Sequence, residues 1–313
     1  MGRKKVAVIG AGHVGGQVAW GITMRELADV VIVDIIEGLP QGKALDMMEA
    51  RPVIGSDVEI TGTNSYDETA GSDIIVITSG LPRKPGMSRE ELLESNVKIV
   101  AEVTKRAVER SPNAILIVVA NPLDAMTYTA FKVSGLPRER VMGMAGMLDS
   151  ARFRAFIAME LGVSVKDVTA FVLGTHGDLM VPSTRYTTVA GTPVEQLIAK
   201  ERLEAIVKRT RKAGGEIVSL LKTGSAYFAP AMAITEMVEA ILKDKKEIIP
   251  ACVYPQGEYG YRDVFVGLPA KLGAKGIEEI VEFELSPQEK AALDESMRHV
   301  KELLKEVDGL KLF

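Results

Sequence analysis

Short apolar runs recur through the first half of the chain, at residues 6–9, 30–33, 58–61, 74–78, 114–119 and 141–144. Each is too short for a buried helix and ends at turn residues, so each reads as a buried strand. Helical periodicity fills the segments between them, at 14–26, 43–51, 90–109 and 124–133. Apolar strands alternating with helices predict parallel strand–helix–strand units, with both faces of the sheet covered. After about residue 145 the pattern changes. Helices are predicted at 150–161, 194–221 and 229–242, with a break in the second expected near Gly214-Gly215. Strands are predicted at 168–173, 248–254 and 264–267, and a charged amphipathic helix at 287–307 closes the chain. The chain therefore divides near residue 145 into an α/β domain, 1–145, and an α+β domain, 146–313. No repeat or low-complexity segment is evident.

Composition narrows the class. The 313 residues are 47% hydrophobic and 26% charged, which suits a globular protein. Net charge is -4 and the cations are scattered, so no basic face for nucleic acid is expected. The single cysteine, Cys252, cannot form a disulfide within the chain. This fits a reducing compartment, with the thiol as a small buried hydrophobe in a strand. No run approaches the roughly 18 consecutive apolar residues of a membrane span. Glycines at 10, 12, 15 and 16 interrupt the N-terminal apolar stretch before a signal-peptide cleavage site could follow, so a cytoplasmic location is expected.

Gly10-Ala11-Gly12-His13-Val14-Gly15 follows the first strand and opens the first helix. Alone such a GxGxxG is a weak signal. Asp34, at the end of the next strand, stands at the distance of about 20 residues that the dinucleotide-binding fingerprint requires. In that geometry Gly10 allows a tight turn, Gly12 lets a pyrophosphate approach, and Gly15 lets helix and strand pack closely. The pyrophosphate meets free N–H groups at the helix N-terminus. A carboxylate at Asp34 accepts from ribose hydroxyls and repels a 2′-phosphate, which points to NAD rather than NADP. The bland alternative is a ligand-free glycine turn. His13 reads as an exposed side chain beside the phosphates.

Three further segments carry chemistry. The loop 80–88, rich in Pro and Gly, follows the strand at 74–78 and leaves the carboxyl edge of the sheet, where doubly wound folds bind ligands. Its Arg83 and the adjoining Arg89 are either solvated cations or part of a lid that grips a carboxylate. His176 lies between Gly174 and Gly177, which leaves room for a ligand, and imidazole is the natural proton acceptor for an alcohol near neutral pH. His299, in the closing helix, reads as solvated. Asp149 and Arg152 share one face of a helix start. They form either an N-cap with a surface ion pair or a carboxylate that orients a histidine beside a guanidinium that holds an acid.

Together these residues resemble the lactate/malate dehydrogenase family, and within it the lactate-dehydrogenase-like malate dehydrogenases. The resemblance runs through the glycine loop, Arg83-Lys-Pro-Gly-Met-Ser-Arg89, Asn121-Pro-Leu-Asp124, Leu148-Asp149-Ser-Ala-Arg152, Gly174-Thr-His-Gly-Asp178, Gly224-Ser-Ala-Tyr-Phe-Ala-Pro230 and Gly257-Glu-Tyr-Gly-Tyr261. It covers essentially the whole chain. It implies a Rossmann doubly wound sheet for NAD in residues 1–145 and an α+β catalytic domain in 146–313. It implies His176 as general base, Asp149 as its orienting acid, Arg152 on the substrate carboxylate, and Arg89 polarising the substrate oxygen. Asn121 would hydrogen-bond the substrate and help place the nicotinamide, across a cis Asn121–Pro122 bond. Asn96 and Val119 match cofactor-contacting positions. Ser225 falls where relatives carry a hydroxyl near the substrate. Arg83 occupies the specificity position, where a cation suits the second carboxylate of malate and glutamine suits lactate.

The resemblance further implies a homo-oligomer, tetramer favoured over dimer, and a small dicarboxylate substrate. No residues are read as a metal site. The methionines of 142–147 read as core filler. Two alternatives stand beside this reading: the same chemistry on lactate, against which Arg83 speaks, and a non-catalytic NAD sensor, against which the joint presence of His176, Asp149, Arg152 and Arg89 speaks.

Overall fold

A computed structural model describes residues 2–82 and 88–313. Its first half alternates β1 (Lys5–Ile9), α1 (His13–Met24), β2 (Asp29–Val33), α2 (Leu39–Ile54), β3 (Ile60–Thr63) and β4 (Ile74–Ile77). There follow α3 (Arg89–Arg110), β5 (Ile115–Val118), α4 (Leu123–Ser134) and β6 (Val141–Gly143). The strands lie parallel in the order β6-β5-β4-β1-β2-β3, with Val8 opposite Ile32 on one side and Val76 on the other. Branched side chains at nearly every position of β1, β2, β4 and β5 are buried, as a sheet covered on both faces requires. Strand order reverses between β1 and β4. Loops leaving their carboxyl ends therefore diverge and open a crevice.

The second half contains α5 (Gly146–Leu161), β7 (Val168–Leu173), β8 (Val181–Val189), β9 (Thr192–Pro193), α6 (Lys200–Leu221) and α7 (Phe228–Leu242). It closes with β10 (Glu247–Val253), β11 (Val266–Gly273), β12 (Gly276–Ile280) and α8 (Pro287–Gly309). Strand β10 joins β6 in antiparallel sense through Cys252 opposite Gly143, and β11 and β12 extend the sheet to nine strands. The main core follows this sheet across both halves. A smaller core, with Phe153, Ile157, Val172, Leu203 and Ile206, fills the space between α5, α6 and the separate sheet β7-β8-β9.

Several expectations are corrected. Residues 181–189 form an unanticipated nine-residue strand. Pro182 disguises it, but β9 pairs only with Thr188 and Val189, so Pro182 sits on an open edge where its missing N–H costs nothing. Strand β12, short and charged, was likewise missed. Helix α6 begins at Lys200 rather than 194 and runs unbroken through Gly214-Gly215. A capping box sets the start of α3. Ser88 Oγ accepts from Glu91 N–H at 3.0 Å, and Glu91 Oε2 accepts from Ser88 N–H at 2.8 Å. Ser286 and Glu289 cap α8 in the same way. Asn121–Pro122 is cis. Met142 and Met144 are buried in the core, with Met147 packed against it.

Candidate active site

The crevice at β1 and β4 is built from backbone geometry. Gly10 adopts φ +112°, which an L side chain resists. At Gly15 an added Cβ would lie 1.9 Å from Gly10 O, so helix and turn could not approach as they do. At Gly12 a Cβ would meet nothing within 4 Å, which leaves that face of the loop open. Helix α1 carries no side-chain N-cap, so its first N–H groups point outward. Asp34 is fixed at the same mouth: Oδ2 accepts from Ala11 N–H at 2.7 Å and Oδ1 from Ile36 N–H at 3.0 Å. Lys43, which sequence reasoning missed, donates from Nζ to Gly12 O at 3.0 Å. His13 is exposed and stacks on Tyr227, centroids 5.1 Å apart, and Val14 packs against the core. A Cβ-free turn, bare helix N–H groups and an adjacent carboxylate fit a dinucleotide with free ribose hydroxyls.

Asn96 is 2% exposed and ties the floor of the crevice together. Its Oδ1 accepts from Leu81 N–H at 2.7 Å, and its Nδ2 donates to Leu81 O at 3.2 Å and to Asn121 O at 2.8 Å. Its amide thus holds protein backbone at the start of the arginine loop. Asn121 is exposed at the carboxyl end of β5, next to the partly buried Val119. Arg89 is exposed at the first position of α3, with its guanidinium 3.5 Å from His299 Nε2. His299 is consequently half-buried rather than solvated. Arg83 lies outside the described residues.

The histidine loop leaves β7 at Gly174, whose N–H and C=O pair with Gly267 of β11 at 2.9 and 3.0 Å. His176 Nδ1 lies 2.8 Å from Asp149 Oδ2, and Arg152 Nη1 lies 3.3 Å from Asp149 Oδ1. Asp149 is therefore no cap. Helix α5 starts at Gly146, so Asp149 falls within its first turn and its buried carboxylate turns to the imidazole. A carboxylate at Nδ1 holds the proton there and leaves Nε2 as the basic nitrogen. Burial pushes the His176 pKa down, Arg152 opposes the cation too, but the charge and hydrogen bond of Asp149, with Asp124 behind, outweigh them and raise it.

His176 and Arg152 line a cavity of about 670 Å³, closed on the far side by α6. There Gly214 passes close to Arg152, where a Cβ would lie 3.8 Å from Nη2. Arg211 and Lys212 add two cations that sequence reasoning missed, since nothing in the amphipathic pattern of α6 sets them apart. Arg152 Nε is buried without a hydrogen-bond partner among the described residues, a donor suited to an incoming carboxylate. Arg89, Asn121 and Ser225 do not line this cavity, and Ser225 is exposed between α6 and α7. A larger cavity of about 880 Å³ between β8 and α6 shares Asp178, Arg211 and Lys212 but reaches neither His176 nor Arg152. The chemistry of the smaller one marks it as the candidate site.

Known proteins match the chain throughout. Residues 4–143 match the NAD binding domain of lactate/malate dehydrogenase, and residues 146–310 match the alpha/beta C-terminal domain of the same family. The malate dehydrogenase of Desulforudis audaxviator is 57% identical over 308 residues, covering 98% of this chain and 100% of its own. The solved malate dehydrogenase of Salinibacter ruber superposes with a TM-score of 0.95 at 54% identity, over 98% of each chain. A lactate dehydrogenase of Cryptosporidium parvum, solved with lactic acid and nicotinamide adenine dinucleotide, also superposes at 0.95, with 44% identity over 98% of this chain and 99% of its own. With both domains matched end to end at such identity, the chain belongs to the lactate/malate dehydrogenase family.

Proposed function

We propose that this protein is an NAD-dependent malate dehydrogenase, interconverting (S)-malate and oxaloacetate. The observation that carries the reading is the imidazole held by Asp149 beside Arg152, whose buried Nε has no partner among the described residues. The 57% identity to a malate dehydrogenase supports it independently. Bound NAD would supply the hydride acceptor for the malate C2–H. His176 Nε2 takes the hydroxyl proton in the same direction and returns it in reverse. Asp149 keeps the imidazole in the required tautomer and stabilises its protonated form. Arg152 holds the C1 carboxylate with its planar fork. From the family resemblance we assign Arg89 to the substrate oxygen and Asn121 to a hydrogen bond with the substrate. Gly10, Ala11, Gly12, His13, Val14 and Gly15 would hold the pyrophosphate, and Asp34 the ribose. Asn96 and Val119 would lie on the cofactor's side of the crevice.

We assign the distal carboxylate to Arg83 from its place in the sequence. The domain boundary belongs near residue 145, in agreement with family matches that end at 143 and begin again at 146. We infer a homo-oligomer because Leu45 and Val53 on α2, Met24 on α1, and Phe228 and Met232 on α7 leave large apolar groups exposed, and the family resemblance favours a tetramer over a dimer. The lone buried thiol of Cys252 is compatible with the cytoplasmic location we propose. The test is the rate of NADH oxidation with oxaloacetate and with pyruvate, side by side. Faster turnover of oxaloacetate is expected. Preference for pyruvate would make it a lactate dehydrogenase, and inertness to both would leave a cofactor-binding protein.

A further inference from the structure

Behind the histidine loop lies a carboxylate that the reaction above does not use. Asp124, in the first turn of α4, is 3% exposed. Its Oδ2 accepts from the Thr175 hydroxyl, and its Oδ1 accepts from Cys252 Sγ at 3.3 Å. Thr175 is the residue before His176, and its own N–H donates to Ser296 Oγ of α8 at 2.7 Å. Thr175, Cys252 and Ser296 are all buried. A cross-link between neutral donors would be served by an amide or a hydroxyl. A buried carboxylate is costly unless something charged answers it. Burial raises the Asp124 pKa, against the Thr175 and Cys252 hydrogen bonds and the charge and backbone N–H of His176, which draw the carboxylate toward its charged form; Cys252, whose own thiol burial pushes far up, stays protonated. One turn along α4, Tyr128 turns away to Asp308 of α8. The other groups around His176 are Asp149 and Arg152 of α5, with Asp178 and, from α6, Arg211, Lys212 and Glu216 on the cavity wall.

We propose that Asp124 is a positioning residue for His176, locking the preceding peptide through Thr175 and setting a second buried carboxylate behind the imidazole. Asp149 orients the ring and Asp124 fixes the main chain that carries it. The charge of Asp149, and behind it that of Asp124 against the burial that raises its own pKa, favour the imidazolium formed when the base takes its proton. The inference rests on His176 being the base.

The test compares Asp124→Asn, Thr175→Val, Thr175→Ser and His176→Asn with the unmodified protein. NADH binding by fluorescence reports folding, and kcat/KM for oxaloacetate is followed across the titration of imidazole. Asp124→Asn keeps the shape and removes the charge. NADH should still bind, and the fall of kcat/KM with rising pH should move to lower pH by on the order of one unit, a tenfold change in the protonated fraction. A purely structural role would lower the rate and leave the midpoint in place, which overturns the proposal. Should Asp124→Asn fail to bind NADH, the threonine pair decides: Val should lower kcat and Ser restore it, and equal behaviour of the two overturns the inference. If His176→Asn is as active as the unmodified protein, the assignment of the base itself fails. If it is inactive while Asp124→Asn is unchanged, only the present inference falls.

Discussion

At the scale of single residues, the site is set by what surrounds each ionisable group. His176 has its pKa raised by Asp149 against the opposing effect of burial. With His176 as the proposed base, ketone reduction needs the protonated ring, so kcat/KM for oxaloacetate should hold at low pH and fall as pH rises through the folded pKa. That fall should lie above the free imidazole value of about 6.5. A pH–rate profile checks it, and a midpoint below that value would contradict the geometry. Cys252 is buried, and its thiol is pushed well up by burial and by Asp124. A thiol reagent should leave it untouched in the folded protein and modify it only on denaturation. Arg83 is assigned to the distal carboxylate, which Arg152 cannot also hold. Arg83→Gln should shift selectivity from oxaloacetate toward pyruvate by about a hundredfold, or about 3 kcal/mol. An unchanged ratio of the two kcat/KM values would remove Arg83 from that role. His176 was legible because glycines flank it. Asp149 was legible only through the family resemblance, because by pattern alone an aspartate at a helix start reads more readily as a cap.

At the scale of elements, what matters is where each begins and what it can approach. Strand β1 and helix α1 meet through glycines of two kinds. At Gly15 a Cβ would collide with Gly10 O, so Gly15→Ala should destabilise the fold by about 1–3 kcal/mol of overpacking. At Gly12 the space is open, so Gly12→Ala should fold normally and weaken NADH binding alone. Thermal melts with NADH titration separate the two, and equal loss of stability in both would refute the distinction. Helix α8 reaches both halves of the chemistry. Ser296 holds the Thr175 N–H, and His299, one turn on, lies against Arg89. The closing helix was read correctly as amphipathic, yet periodicity says only that one face is buried. It does not say that the buried face carries a hydroxyl for the histidine loop.

At the scale of the whole molecule, one sheet serves both halves. Strands β10 to β12 continue the parallel sheet beyond β6, so His176, which is far from the glycine loop in sequence, is anchored to that sheet through Gly174 and Gly267. The outer surface carries Val53, 87% exposed on α2, with Leu45 on the same helix. Helix α1 packs on both α2 and α7, so these three helices together form one flank. If that flank is an interface between copies, Leu45→Glu with Val53→Glu should reduce the molar mass in light scattering while leaving secondary structure intact. An unchanged mass would place the interface elsewhere or make the protein a monomer.

The sequence by itself determined the parallel strand–helix alternation, the glycine loop with its acid, and the histidine between glycines. These depend on side-chain periodicity and on short-range backbone demands, and both are written locally. Only the tertiary structure decided that Asp149 faces His176 rather than capping a helix, and that Asn96 clamps Leu81 to Asn121. It also decided that Arg211 and Lys212 line the cavity, that Asp124 lies buried behind Thr175, and that β8 continues through Pro182. Each of these depends on a partner remote in sequence, on which face of a helix meets which loop, or on an edge left unpaired. A local pattern carries no record of such contacts.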